Sequence, residues 1–513
     1  MGRQDRPGTL ADEPSRELVR EILDPEQLLA DLDWRGSAGE LALPIPCDHR
    51  SVIDPEAPCR LVIEGGRQAE PLRATLCTIL DRAGSPAAVT VTMPADPPAA
   101  MAGLREALRH ALPGLVVQTG AAPAPAGGPE VRAPLRMAAG DELPWGWPDP
   151  PPESAPPPPV AFLLAGVPPE GSGGVNSVVQ EARGLRALGA RSWICVPAAA
   201  TAHAHRLYGN GDELFVFSDE GALPTTATAD VVVATEHTTV PLLAAVARER
   251  PDVACAYYVQ DYEPLFALPG SPRADRALLS YRALPDATLF AKTHFIRNVV
   301  GARHGVSVAK VPPSLDRALF HAGGRDEDPG RPLRITAMVR PRTPRRRPRA
   351  TLASLERIAA ALGDAVEVIT FGCDAGELPP AGPGVRHHGR LDSAEVARLL
   401  RRCDVFIDGS AYQAFGRSGL EAMACGAVPV LPSLGGVREY AVDDGNAIVL
   451  DDDRPESVAG AVIALAADRE RLERLRAAAL RTGEAFSVER AALAQVEMFR
   501  FLTLRASRRR APG

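Results

Sequence analysis

Residues 404–432 read DVFIDGSAYQAFGRSGLEAMACGAVPVLP, and this stretch decides the fold of the chain. The apolar run DVFIDGS predicts a buried strand, and a loop follows it. A helix then begins near Gly416, and the run AVPVLP at 427–432 predicts the next strand. Strand, helix and strand in this order form the repeating unit of a parallel α/β sheet.

The same alternation extends from Val160 to the end of the chain. Two sets of strands, with helical stretches between them, predict two consecutive Rossmann-like domains that face a cleft, over 160–325 and 326–486. A helix long enough to cross back between them follows, and it ends in a basic tail (487–513 together). The predicted strands begin at residues 160, 192, 230, 253 and 286 in the first set, and near 333, 366, 385, 404, 427 and 447 in the second.

The N-terminal part has a different organisation. Three short strand patterns at 59–65, 88–93 and 114–119 are separated by helical stretches at 70–84 and 102–112, which predicts a small accessory α/β unit over 1–120. Asp31 and Asp33 resemble the metal-binding D-x-D of some nucleotide-sugar enzymes, but they lie inside a helical pattern, which favours a solvated helix face. Residues 121–159 are rich in Pro and Gly and predict a linker without a core of its own.

Composition excludes several classes of protein. The 513 residues carry 57 basic and 64 acidic side chains, so the net charge of −7 does not favour nucleic acid. Hydrophobic residues make up 45% of the chain, which excludes wholesale disorder. No window approaches the ~18 apolar residues of a membrane span, and the polar N-terminus has no signal-peptide core. The eight cysteines include no C-x-x-C pair, so we expect reduced thiols and a cytoplasmic protein.

Two glycine-containing turns are candidate phosphate sites. At 416–418, Gly-Arg-Ser begins the predicted helix, where backbone N–H groups, a hydroxyl and the helix dipole would meet an anion. Glu421 follows one to two turns later, and its carboxylate can accept two hydrogen bonds from a ribose diol. The turn 170–178 contains Gly171, Gly173 and Gly174, and it fits an anion site and tight strand-to-helix packing equally well.

The string 413–432 resembles the donor-site motif of the retaining glycosyltransferases of family 4, which have the GT-B fold. In that motif Glu, seven residues and a second Glu precede A-M-A-x-G-x-P-V. Glu421 matches the second Glu, which in the family binds the nucleotide ribose. The first position, which lies near the transferred sugar, is Gln413 here. Glutamine still forms hydrogen bonds, but it lacks the negative charge that stabilises a developing oxocarbenium ion.

Three further segments, 257–266, 292–320 and 337–346, resemble a branch that includes bacterial polyrhamnan rhamnosyltransferases. The resemblance covers about 160–500 and implies dTDP-L-rhamnose as the donor and a lipid-linked or capsular glycan as the acceptor. It also implies front-face attack, with no metal or other cofactor. Arg340 and Arg345 would then bind the donor diphosphate, and Arg346 is nearly as good a candidate, because guanidinium groups can bind phosphate oxygens bidentately.

The predicted acceptor site lies in the first domain. Gln260, Asp261, Tyr262 and Glu263 end one strand and suit a polyhydroxylated acceptor, and Asp261 can orient or deprotonate the attacking hydroxyl. His237, at the end of the neighbouring strand, is a candidate general base or phosphate contact. The alternatives are a polar loop and a hydrogen-bonded edge histidine.

The sequence therefore predicts a retaining glycosyltransferase. One alternative is a nucleotide-sugar epimerase with the GT-B fold. The other is a non-catalytic scaffold that binds a nucleotide sugar or glycan, which Gln413 suggests. The expected partners are a nucleotide sugar, a glycan or lipid-linked saccharide acceptor and, through the basic tail 505–513, the cytoplasmic face of the inner membrane; no nucleic acid is expected. The candidate catalytic residues are Asp261, His237 and Gln413; the donor-binding residues are Gly173, Gly174, Arg340, Arg345, Gly416, Arg417, Ser418 and Glu421; the acceptor-binding residues are Gln260, Tyr262, Glu263 and Lys292; no metal ligand is expected.

Overall fold

The structure, a computed structural model, describes residues 156–508 except 169–171, 210–213, 218–227, 268–270, 324–329, 379–381, 383 and 453, together with six strands of the N-terminal part. The predicted helices at 70–84 and 102–112, the Asp31 and Asp33 pair, Gly171 and the last five residues of the basic tail lie outside the described residues.

Nineteen strands and eleven α-helices are described. The strands are β1 Leu41–Ala42, β2 Cys59–Ile63, β3 Val89–Pro94, β4 Leu115–Val117, β5 Gly120–Ala121, β6 Glu130–Met137, β7 Val160–Leu163, β8 Ser192–Val196, β9 Phe215–Phe217, β10 Val231–Ala234, β11 Ala254–Tyr258, β12 Thr288–Ala291, β13 Val308–Lys310, β14 Leu333–Met338, β15 Val366–Phe371, β16 Val385–His387, β17 Val405–Ile407, β18 Val428–Pro432 and β19 Ile448–Leu450. The helices are α1 Gly173–Ala187, α2 Thr201–Tyr208, α3 Val240–Glu249, α4 Pro272–Ser280, α5 His294–His304, α6 Pro348–Leu362, α7 Ser393–Arg402, α8 Arg417–Ala424, α9 Pro455–Ala467, α10 Arg469–Glu484 and α11 Val488–Arg508.

Two parallel sheets form the larger part of the fold. The first sheet has the order β13-β12-β11-β10-β7-β8-β9, and the second has the order β16-β15-β14-β17-β18-β19. Numbered from its own first strand, each sheet begins 3-2-1-4-5-6, which is the doubly wound order of a Rossmann fold. The prediction of two Rossmann-like domains is therefore confirmed.

The second sheet is covered on both faces. Val405 and Ile407 of β17 pack into one apolar cluster with Ile358 of α6 and Val462 of α9. Phe406, which lies between them in sequence, packs into the other cluster with residues of α7 and α8. Consecutive side chains of a strand point to opposite faces, so a strand with helices on both sides has to be apolar throughout. This is why the run at 404–407 identifies a central strand.

The described residues form two compact units. Unit 1 contains Leu164–Gly221 and Pro312–Gln495, so it includes α1 and the whole second sheet. Unit 2 contains Ala222–Val311, the strand β7 and the chain from Val496 onward. The last helix, α11, contributes residues to both units.

Every strand predicted after residue 159 is present, whereas the edge strands β9 and β13 were not predicted. Both have only three residues, and Val308–Lys310 ends in a lysine that the sequence places on a surface stretch. An edge strand needs hydrogen bonds on one side only, and so its composition is a weaker signal than that of a buried strand.

The N-terminal strands form a separate sheet of order β1-β2-β3-β6-β4, in which β5 also pairs with β6. Strands β2, β3 and β4 confirm the three predicted ones. However, β6 lies within 121–159, the stretch whose composition predicts a linker, and it pairs antiparallel with β3 and β4. Its sequence, EVRAPLRM, alternates apolar with other residues, and the abundance of Pro and Gly on either side hides this period of two.

Candidate functional site

The strand order of the second sheet locates a site before any side chain is considered. Neighbouring strands β14 and β17 lead to loops that leave the sheet in opposite directions, and ligands of open α/β sheets bind at the carboxyl ends of such a pair. The two loops here are 339–347, which contains the arginine run, and 408–416, which leads to α8.

Helix α8 begins at a residue that has to be glycine. Gly416 has φ +80°, and a Cβ there would lie 2.7 Å from the Tyr440 hydroxyl oxygen and 2.7 Å from Val437 Cγ1. The Tyr440 hydroxyl donates a hydrogen bond to the Gly416 carbonyl at 2.6 Å. This close approach fixes the start of α8. No side chain of the described residues caps its N-terminus, and so the first N–H groups of the helix are available to an anion.

Glu421 is a buried carboxylate in the second turn of α8. The residue is 8% exposed, and burial raises the pKa of its carboxyl to about 7, with Arg417 opposing the shift and Asp316 adding to it. Arg417 Nη1 lies 3.9 Å from Glu421 Oε1, too far for a hydrogen bond. Among the described residues, none donates a hydrogen bond to this carboxylate. A buried acid in this state has unused acceptor capacity that a ligand diol can fill.

Gln413 lies in the loop before α8, held by its backbone and by its side chain. The N–H of Gly436 donates to the Gln413 carbonyl at 2.7 Å. Its side-chain Nε2 donates to Asp408 Oδ2 and, at 3.1 Å, to Ser410 Oγ. Gln413 is therefore an ordered and buried part of the loop.

The arginines that follow β14 have different positions. Arg346 Nη1 lies 3.6 Å from Asp408 Oδ2, at the junction of the two loops. Arg345 instead lies over the ring of Tyr412, with its guanidinium carbon 5.6 Å from the ring centre. Arg340 is half-buried in the same loop, where its carbonyl accepts the N–H of Thr343. Arg345 and Arg346 thus both contact the 408–416 loop, and Arg346 is the one that lies next to the Asp408 carboxylate.

Arg417 is engaged by helix α1 rather than left open at the start of α8. Its guanidinium donates to Gln180 Oε1 at 2.9 Å and to Ser177 Oγ, and both acceptors are on α1. The prediction that Arg417 binds the donor phosphate is thus not what this geometry favours. Ser418 is half-buried next to it.

The glycine turn before α1 resembles a second helix start. Ser172 caps α1 by accepting the N–H of Val175 at 3.1 Å. A Cβ built on Gly173 would meet no atom of the described residues within 4 Å. The described residues, which do not include 169–171, therefore show no tight packing at Gly173.

A separate polar cluster lies in unit 2, where β10 and β11 end. Glu263 Oε2 accepts the backbone N–H of His237 at 2.7 Å and faces His237 Nδ1 at 2.5 Å, and Glu263 Oε1 accepts the Tyr257 hydroxyl at 3.0 Å. Burial raises the pKa of Glu263, and its bonds with His237 oppose the rise. His237 Nε2 is buried and has no hydrogen-bond partner among the described residues. The carboxylate holds one ring nitrogen, which leaves the other to a ligand.

Two residues predicted to bind an acceptor have partners inside unit 2. Glu263 and Tyr262 were predicted to bind an acceptor, but Glu263 is occupied by His237 and Tyr257, and Tyr262 is 3% exposed. The Tyr262 hydroxyl lies 3.2 Å from His304 Nε2, inside the unit. Both face inward because the segment after β11 turns into a short 3₁₀ helix, Glu263–Phe266, which a strand-edge pattern does not predict.

The other predicted acceptor and catalytic residues of the first sheet remain near its edge. Gln260 is half-buried, and its side chain donates to the Thr235 carbonyl at 3.2 Å. Asp261 is 8% exposed, and its Oδ1 accepts the N–H of Tyr262 at 2.9 Å. Lys292 is also buried, with Nζ 5.5 Å from the centre of the Tyr258 ring.

Sequence reasoning missed Asp408 and Tyr440. Asp408 follows β17 directly and contacts Gln413, Ser410 and Arg346, so an acidic residue at the end of a central strand was the available signal. Tyr440 is distant in sequence from the residues that it contacts, and no local pattern points to it. Burial first, and the nearby Asp408 and Glu421 charges next, raise the pKa of Tyr440 well above its ordinary value.

Within the part of the chain that the structure describes, no group of three or more His, Cys, Asp or Glu side chains is placed to hold a metal ion. A search of the same residues finds no helix with the length and apolar character needed to cross a membrane.

Part of the second sheet's sequence is similar to a known protein family. Residues 380–482 match the sequence profile of the family described as Glycosyl transferases group 1. The matched segment contains Asp408, Gln413 and Glu421, whereas Arg346 and His237 lie before it in the chain.

Two curated proteins are similar to parts of the chain. The O-antigen biosynthesis protein RfbC of Myxococcus xanthus is 32% identical over 206 residues, which are 39% of this chain and 16% of RfbC. A D-inositol 3-phosphate glycosyltransferase of Xylanimonas cellulosilytica is 32% identical over 118 residues, 23% of this chain and 28% of that enzyme. The chain therefore spans less than a third of the length of either relative.

Solved structures with the same architecture confirm the fold class as GT-B. HepE of Anabaena, crystallised in complex with UDP and glucose, has a TM-score of 0.52 at 15% identity, over 66% of this chain and 98% of HepE. Sucrose-phosphate synthase from Thermosynechococcus elongatus has a TM-score of 0.53 at 16% identity, over 68% of this chain and its whole own length. At such identity the likeness concerns the fold alone. The segment 380–482 contributes strands β16 to β19 of the second sheet.

Proposed function

We propose that the chain is a retaining glycosyltransferase that moves a sugar from a nucleotide diphosphate to a hydroxyl of a glycan. The observation that carries this proposal is Glu421. It is a buried carboxylate without a hydrogen-bond donor among the described residues, on a glycine-initiated helix of a group 1 glycosyltransferase domain. A ribose diol supplies the two hydroxyl donors that such a carboxylate needs.

The donor diphosphate would bind at the same end of the second sheet. The uncapped start of α8 offers backbone N–H groups, and Arg346 brings a guanidinium to the neighbouring loop. When the sugar–phosphate bond breaks, the leaving nucleotide gains negative charge. Positive groups that are already in place stabilise that charge without reorganising. Arg340, in the same loop, is the second candidate for this role.

In unit 2, His237 is the proposed contact to the reacting hydroxyl or to a phosphate. The Glu263 carboxylate faces Nδ1 of the ring, and the buried Nε2 is the nitrogen that is left for a ligand. Asp261 is the alternative group for orienting an acceptor. Gln260 and Lys292 lie close to it along the same sheet edge and are kept as acceptor-binding candidates.

The nucleotide, the sugar and the acceptor are supported by different observations. A nucleoside diphosphate sugar is supported by the site itself, whereas L-rhamnose as the sugar and dTDP as the carrier rest on the resemblance of 257–266 and 337–346. A cell-surface glycan acceptor is supported by the partial match to RfbC, an O-antigen biosynthesis protein. The arginines at the C-terminus are the candidate contact with an anionic membrane surface.

A two-stage experiment tests the proposal with the full chain. Thermal unfolding with dTDP, UDP and GDP first identifies the nucleotide, because a ligand of the folded state raises the melting temperature. Labelled nucleotide sugar of that base is then incubated with and without a glycan acceptor. Labelled glycan supports the proposal. Epimerised or free sugar without acceptor identifies the epimerase alternative, and nucleotide binding without any turnover identifies a non-catalytic scaffold.

A further inference from the structure

Asp408 and Gln413 form a buried acid–amide pair at the carboxyl end of β17. The Asp408 side chain is 5% exposed, and Gln413 is 3% exposed. One hydrogen of the Gln413 amide is donated to Asp408 Oδ2, and the other is donated to Ser410 Oγ. Ser410 in turn donates its hydroxyl and its backbone N–H to Asp408 Oδ1. The three side chains thus form a closed set of hydrogen bonds.

The chemistry of this set decides which end of the amide faces outward. The Nε2 group of Gln413 faces Asp408, whose carboxyl oxygens accept hydrogen bonds from it and from Ser410. One hydrogen of the Gln413 amide is then donated to Asp408 and the other to Ser410. The carbonyl oxygen Oε1, on the other side of the same carbon atom, is the part of Gln413 that remains for a ligand hydroxyl.

We propose that Asp408 is a positioning residue of the donor site. It carries the negative charge that the resemblance places at position 413, five residues further along the chain, and it turns Gln413 so that Oε1 accepts a hydroxyl of the transferred sugar. Arg346, 3.6 Å from Asp408, closes the arrangement toward the diphosphate loop. This inference rests on the proposed function, and it means that Gln413 marks a displaced acid rather than a decayed site.

The inference reverses the expected effect of restoring the family residue. Gln413→Glu would replace the amide donor by a second carboxylate directly opposite Asp408, and two buried carboxylates in contact repel each other. Asp408→Asn removes the charge but keeps an oxygen that accepts from Gln413. The double variant Asp408→Asn with Gln413→Glu exchanges the two groups and restores one acid and one amide.

The experiment compares these three variants with the native chain and with Asp364→Asn, an exposed aspartate of the same unit. The readouts are the melting temperature, the Kd of dTDP and dTDP-L-rhamnose and of UDP and UDP-glucose, and the kcat and KM of transfer. We expect Gln413→Glu to lower the melting temperature by about 5 °C or more and turnover by about 10-fold or more. Asp408→Asn lowers kcat about 10–100-fold and weakens binding of the nucleotide sugar about 3-fold or more, with the Kd of the free nucleotide unchanged, because the nucleotide contacts remain. The exchanged pair regains about 10-fold or more of the turnover lost in Gln413→Glu.

The inference is overturned if Gln413→Glu matches or exceeds the native chain in stability and turnover, or if the exchanged pair is no better than Gln413→Glu. Its failure is distinguishable from a failure of the proposed function. If the native chain transfers no sugar, the proposed function fails, and the pair is judged by binding and stability. Weaker binding of nucleotide sugar, with binding of the free nucleotide unchanged in Asp408→Asn, still supports a sugar-facing Gln413. Equal losses of affinity for the free nucleotide and the nucleotide sugar refute it. A change in melting temperature of the double variant that equals the sum of the changes in the two single variants also refutes it.

Discussion

Replacing Glu421 by glutamine should stabilise the ligand-free protein while it weakens nucleotide binding. The Glu421 carboxyl is 8% exposed, and burial raises its pKa from 4.5 to about 7. Between these two pH values the folded state binds more protons than the unfolded state. The stabilisation from the protonated form is fully present below pH 4.5 and is lost as the pH rises through 7.

The size of the effect follows from the pKa shift. One pKa unit corresponds to ~1.4 kcal/mol, so the shift from 4.5 to about 7 means that the ionised carboxyl costs about 3–4 kcal/mol at pH 8. Glu421→Gln removes this cost, and its free energy of unfolding should exceed that of the native chain by that amount at pH 8 but not at pH 4.5. Urea unfolding without nucleotide measures the difference. The exposed Glu497→Gln is the matched control, for which no pH-dependent gain is expected.

The same carboxylate should make ligand binding depend on pH. Ribose hydroxyls donate to the ionised form, so binding a nucleotide sugar requires Glu421 to lose its proton. The Kd should then rise about 10-fold for each pH unit below 7, or about 100-fold between pH 8 and pH 5, and it should be nearly flat for Glu421→Gln. Calorimetry with a nucleotide sugar measures this, because its diphosphate diester does not titrate there. A Glu421→Gln variant that is less stable at pH 8 and binds with unchanged affinity would refute the reasoning.

Three further outcomes are expected from the site geometry. Gly416→Ala should lower the free energy of unfolding by about 2 kcal/mol or more, because the new Cβ enters a left-handed backbone position and meets Tyr440. His237→Ala should lower kcat of transfer by about 100-fold with little change in nucleotide Kd. Glu263→Gln should also lower kcat, but by less, because Glu263 only orients the His237 ring. Arg346→Ala should weaken binding of the nucleoside diphosphate about 10-fold or more in calorimetry, because it removes a guanidinium from the diphosphate loop.

Each of these outcomes has a control and a contradicting result. Gly460→Ala, in the open middle of α9, should stabilise by about 0.5–1 kcal/mol, and equal losses at both glycines would contradict the close-approach argument. Arg342, whose side chain is 87% exposed, should be replaceable by alanine without loss of diphosphate binding. If His237→Ala weakens nucleotide binding as much as it lowers kcat, the ring of His237 has a structural role.

The site was predictable where it depends on local sequence. The loop, glycine, helix and glutamate of 413–421 are consecutive, and a helix start and its second turn are always close in space. The position of the arginine run beside this loop also followed, since parallel strands bring their carboxyl ends to one edge. Which arginine meets the Asp408 carboxylate did not follow, because Arg345 and Arg346 are neighbours in sequence. Only the turn of the short 3₁₀ helix Pro344–Arg346 sends one to the Tyr412 ring and the other to Asp408.

The sequence by itself determined the two doubly wound sheets, because strands buried on both faces have to be apolar throughout and the helices between them have to be amphipathic. Tertiary structure alone decided which polar side chains pair with each other. Gln413 donates to Asp408, His237 contacts Glu263, and Arg417 donates to Gln180 of α1. The partners in these contacts lie from 5 to 237 residues apart in the chain. Hydrogen bonding at such sites depends on atomic distances of about 3 Å, which residue types and periodicity do not encode.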